Sequence, residues 1–175
     1  MAVLEDWDTA VTRGARIHAE LAGYGSSLNA YRITDSPPDG GGAISAMADA
    51  LAESGLTTSD IDYIVAHGTG TPGNDISETT AIKAVFGDDA YRLSVSSPKS
   101  VTGHLTSAAA GVNLVAALGA LREQTVPPTA NLTHPDPKLD LDYVPLTARK
   151  RNVGAVMVNA FAFGGTNAAM VVKTP

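Results

Sequence analysis

Eighteen consecutive residues, 104–121, contain no Asp, Glu, Lys or Arg. A helix without a charged face is covered on every side. Thr106, Ser107 and Asn113, with Gly111 and Gly119, leave the run too weakly apolar for a membrane span. The segment therefore reads as a buried helix, and the fold must place other elements around it.

The rest of the chain supplies them in alternation. Residues 2–5 read as a short strand, 7–13 as a polar helix stopped by Gly14, and 17–29 as a long strand followed by a turn-rich loop over 31–42. Ile44, Met47, Ala48 and Leu51 recur at helical spacing up to Gly55. Strands over 61–66 and 93–96 flank a helix over 75–86, opened by a capping-box-like Asp75 and Glu78 and stopped by Gly87. Extended pieces over 126–132 and 141–146 precede a hairpin-like pair, 153–161 and 168–173. The uncharged run 153–163 suits a strand covered on both faces. The expected fold is one mixed α/β unit over 1–175.

Composition narrows the function. The chain has 175 residues, a net charge of −6 and 17% charged residues. Globular domains average about 25% charged, so part of this surface is expected to meet another polypeptide. The longest basic run is Arg149-Lys150-Arg151, which argues against nucleic acid as partner. Met1 to Asp6 lacks a basic segment leading into an apolar core, so a cytoplasmic protein without signal peptide or membrane partner is expected. There is no cysteine, hence no disulfide framework, no thiolate-ligated metal and no thiol nucleophile from these residues; no metal site is expected.

Three segments at strand ends carry the candidate chemistry. His67-Gly68-Thr69-Gly70-Thr71-Pro72 leaves a buried strand, so the sheet positions His67 while the glycines allow close approach. The plainer reading is a histidine satisfied by turn hydroxyls. Ser97-Pro98-Lys99-Ser100-Val101-Thr102-Gly103-His104 opens the uncharged helix, where Lys99 either needs a counter-charge or snorkels to solvent. Asn159-Ala160-Phe161-Ala162-Phe163-Gly164-Gly165-Thr166-Asn167 offers backbone N–H groups for an oxyanion, or is an ordinary hairpin turn.

In order and spacing these motifs resemble the β-ketoacyl synthase (condensing enzyme) family. The segments Val126-Pro127-Pro128-Thr129-Ala130-Asn131-Leu132 and Pro135-Asp136-Pro137 look like the discrete, carrier-protein-dependent synthases of bacterial fatty acid and type II polyketide pathways. The resemblance implies the C-terminal half of a thiolase-like, layered αβαβα fold with a mixed central sheet. The N-terminal half, with its nucleophilic Cys, has no counterpart in these residues. By the same resemblance, His67 and His104 are the active-site histidines that stabilise the malonyl enolate, and Lys99 organises the site with Glu78 as its acidic partner. Thr69 and Thr71 bind the phosphopantetheine arm. Phe163 is the gating aromatic whose backbone, with Gly164, helps hold the acyl thioester. No cofactor resides on this chain, since phosphopantetheine arrives on the acyl carrier protein. The implied partners are that carrier and a Cys-bearing N-terminal half, as a dimer of halves or a heterotetramer, with the second half enclosing the 104–121 helix. Ala162 stands where many relatives have Gly, which should narrow the freedom of the gate. The resemblance also admits a non-catalytic, chain-length-factor-like partner, and a truncated product without a partner. His18 and His134 receive no role.

Overall fold

The computed structural model describes residues 2–175; Met1 of the N-terminal hexapeptide lies outside them. The uncharged strand forms as β6 (Ala155–Phe161), buried at all but one position, in the centre of a five-stranded sheet. Its neighbours are β7 (Thr166–Lys173), antiparallel, and β2 (Tyr63–Val65), parallel; β1 (Glu20–Leu28) and β3 (Ser94–Ser96) form the edges. The order β1-β7-β6-β2-β3 is a mixed sheet, and Thr125–Val126 (β4) pairs with Arg149–Lys150 (β5) in a separate ribbon.

Helices cover both faces. On one, α2 (Gly41–Ser54) and α3 (Pro72–Phe86) bury Met47, Ile82 and Phe86 against Ile64, Val95 and Met157. On the other, α5 (Ala109–Glu123) sets Ala117 and Leu121 on Tyr63, Val65, Val156 and Val158. Gly25 of β1 permits the close seat of α2, since a Cβ there would come within 2.1 Å of the Ala46 carbonyl oxygen. A short α1 (Trp7–Thr12), N-capped by Asp6, precedes β1. A four-residue α4 (Lys99–Thr102) follows β3. No helix of the described residues is long and apolar enough to cross a membrane.

Several expectations change. Residues 2–5 form no strand: Val3 and Leu4 are exposed, and among the described residues no strand offers that segment a ladder. β1 starts at Glu20 rather than at 17, because its partner β7 ends at Lys173, opposite Glu20. α3 begins at Pro72, whose ring suits a first helical turn. Asp75 and Glu78 consequently lie inside the helix and are not its cap. The uncharged helix starts at Ala109, not at 104, and it is not covered all round by this chain. Ala109, Asn113, Ala117, Ala120 and Leu121 face the sheet, while Val115 is 68% exposed on the far side.

Candidate active site

All three candidate motifs reach one end of the sheet. His67 follows β2, Lys99 follows β3, and Phe161 closes β6, so the parallel pairing of β2 with both neighbours brings their C-terminal ends together. His104 arrives from the turn between α4 and α5. The two imidazoles meet edge to face, with ring centroids 5.6 Å apart at 78°.

Both rings are held by backbone donors. The Phe161 N–H donates to His67 Nδ1 at 3.2 Å, and the Thr106 N–H donates to His104 Nδ1 at 3.0 Å. A neutral imidazole whose Nδ1 accepts carries its proton on Nε2. Each histidine therefore presents an Nε2–H. His67 is 7% exposed and packs against the Phe161 ring. Burial, with the nearby charges of Lys99 and His104, pushes its pKa down to about 3, so it stays a neutral donor.

The loop carrying His67 is clamped from both sides of its own backbone. Glu78, buried in α3, accepts the His67 N–H at 2.8 Å and the Gly68 N–H at 2.9 Å, while Lys99 Nζ donates to the His67 carbonyl. Among the described residues no ion pair within contact distance joins Lys99 to Glu78; the two hold the same loop, and the Glu78 charge acts on Lys99 across it. Burial raises the Glu78 carboxyl, opposed by its N–H donors, and lowers the Lys99 ammonium. Asp75 performs a similar service one turn earlier, accepting from the Gly70 N–H at 3.2 Å. A cavity of about 240 Å³ lies behind this loop, lined by Lys99, Glu78 and Tyr143 but by neither imidazole.

Thr69 and Thr71 stand on the rim with hydroxyls 2.7 Å apart. The Gly-Gly turn departs from expectation. Gly164 donates its N–H to the Ile33 carbonyl at 2.7 Å, so in this conformation that donor is engaged by the 31–42 loop and not offered to a thioester. Phe163 is 76% exposed, and the aromatic at the imidazole is Phe161, two residues earlier. Ala162 has extended backbone angles that accommodate its Cβ without strain.

The sequence motifs give Phe161, Asn159 and Asn113 no individual roles. Asn159 donates to Glu78 Oε1 at 3.0 Å, extending the clamp into the sheet. The available signal was a polar residue in an otherwise apolar, buried strand, because a buried amide calls for partners. Among the described residues no group of three or more His, Cys, Asp or Glu side chains could hold a metal ion.

Residues 18–133 match the family model described as beta-ketoacyl synthase, C-terminal domain. Nodulation protein E of Rhizobium meliloti is 51% identical over 173 residues, covering 99% of this chain and 43% of that protein. A 3-oxoacyl-[acyl-carrier-protein] synthase 2 from Synechocystis sp. is 48% identical over 171 residues, covering 98% of this chain and 41% of that protein. Among solved structures, a type II polyketide synthase acyl-carrier protein in complex with its ketosynthase superposes with a TM-score of 0.95 at 38% identity, covering 98% of this chain and 42% of that one. The chain thus spans about two fifths of the length of these relatives. Its mixed sheet and helix layers are those of the C-terminal half of a thiolase-like ketosynthase fold, and the chain belongs to the β-ketoacyl synthase C-terminal domain family.

Proposed function

We propose that these residues form the decarboxylating half of a β-ketoacyl-acyl carrier protein synthase site, serving fatty acid or polyketide chain extension. The observation that carries the reading is the pair of neighbouring imidazoles, each with Nδ1 occupied by a backbone N–H and Nε2–H left as donor. As carbon dioxide leaves a malonyl thioester, the C–C bond pair moves onto the thioester carbonyl and an enolate forms. Two donors prearranged at that oxygen stabilise charge where it develops. The enolate carbon then attacks the acyl thioester of a cysteine, expelling the thiolate. That cysteine is supplied by a complementary N-terminal half, because no residue here offers a thiol.

Lys99 and Glu78 act as positioning residues that fix the His67 peptide units. The hydroxyls of Thr69 and Thr71 fit the amides of a phosphopantetheine arm delivered by the acyl carrier protein. The exposed side of α5, with Val115, together with exposed Val101 and Leu105, is where the complementary half packs. A dimer of halves and a heterotetramer both accommodate this arrangement. A chain-length-factor-like role is disfavoured, since a scaffold has no use for two oriented donors and a clamped loop.

The test is malonyl-carrier decarboxylation by this chain assembled with its Cys-bearing half. His67→Ala and His104→Ala should each lower the rate about 100- to 1000-fold, as loss of one oxyanion donor does. Unchanged turnover in both variants would leave the scaffold role standing.

A further inference from the structure

The β2–β6 ladder ends at the Val65–Val158 pair, after which the strands part, one into the His67 loop and the other towards Phe161. At the parting point two backbone carbonyls share one side-chain donor. Asn113 Nδ2 lies 3.2 Å from the Ala66 oxygen and 3.1 Å from the Asn159 oxygen. Asn113 is 1% exposed, among the alanines and Leu121 on the sheet-facing side of α5, and its amide has two N–H groups for two acceptors.

Each acceptor stands one or two residues upstream of a residue that sets the imidazole. His67 comes directly after Ala66, and Phe161, whose N–H fixes the His67 tautomer, lies two residues beyond Asn159. We propose that Asn113 is a positioning residue that pins the two strand ends at the separation where the Phe161 N–H meets His67 Nδ1. Among the described residues no other side chain of α5 hydrogen-bonds to either strand. Without Asn113 the ring would gain freedom to rotate or to exchange tautomer, and its Nε2–H would no longer be aimed. The inference rests on the proposed role of His67 as an Nε2–H donor.

Asn113→Asp keeps the shape and sets one carboxylate oxygen, in the place of Nδ2, against the two carbonyl oxygens. In the chain assembled with its Cys-bearing half, the Phe161 amide proton should move upfield, and the His67 ring nitrogens should shift from a single Nε2–H pattern towards mixed tautomers. The kcat for malonyl decarboxylation should fall about 10- to 100-fold, as a misplaced group does, with KM within about twofold. Should that variant not fold, Asn113→Leu, similar in size and uncharged, is read by the same resonances. A lowered melting temperature with wild-type Phe161 and His67 resonances and wild-type kcat would overturn the proposal and leave Asn113 merely structural. Absence of decarboxylation in the wild-type assembly would refute the proposed function instead, and the resonances would still decide the role of Asn113.

Discussion

Replacing His67 by Gln should remove a proton from the acid unfolding of the assembled protein. The unfolded chain carries this imidazole at its ordinary value of 6.5, whereas burial, Lys99 and His104 hold it to about 3 in the native site. Between these limits the unfolded state binds a proton that the native state refuses. Stability from this group is therefore fully present above pH 6.5 and is lost as pH falls towards 3. Each pH unit in that window is worth about 1.4 kcal/mol, so from pH 6.5 to 4.5 the wild type should lose up to about 3 kcal/mol more than His67→Gln. Urea unfolding at closely spaced pH values measures the two slopes. Spectra of ¹⁵N-labelled histidine in this chain should show His67 neutral, with its proton on Nε2, down to pH 4.5. Parallel slopes, together with a His67 resonance titrating near 6.5, would refute the argument that a dry, cation-flanked pocket keeps this ring neutral.

Gly165→Ala should cost about 3 kcal/mol or more by thermal or urea unfolding, because φ is +81° and a Cβ would fall 1.7 Å from the Asn29 carbonyl oxygen. Val115→Glu, on the exposed side of α5, should change the chain's own stability by less than about 0.5 kcal/mol yet abolish a stoichiometric complex with the complementary half. Size-exclusion chromatography with light scattering checks that result.

Much of the sheet was legible because its signals are local. The uncharged run 153–163 announced a strand covered on both faces, which forms over Ala155–Phe161, and Gly55 and Gly87 closed their helices where expected. The order of the three motifs pointed to His67, His104 and Lys99, which the sheet does bring together. What escaped depends on contacts distant in sequence. Asp75 and Glu78 have helix-capping spacing, but Pro72 starts the helix three residues before Asp75 and turns both carboxylates onto the preceding loop. Asn113 is invisible as a site residue in an alanine-rich run until β2 and β6 are seen to part beside it. The 104–121 run is free of charge on all sides, yet this chain covers only one of them. Periodicity could not reveal that, because it reports what a surface requires and not which polypeptide supplies the cover.

In the proposed site two Nε2–H groups converge on one thioester oxygen. The structure of the assembled synthase with a non-cleavable malonyl-carrier analogue bound would show this oxygen. It should lie within about 2.7–3.1 Å of Nε2 of both His67 and His104. An oxygen held by Lys99, or by only one imidazole with the other turned away, would contradict it.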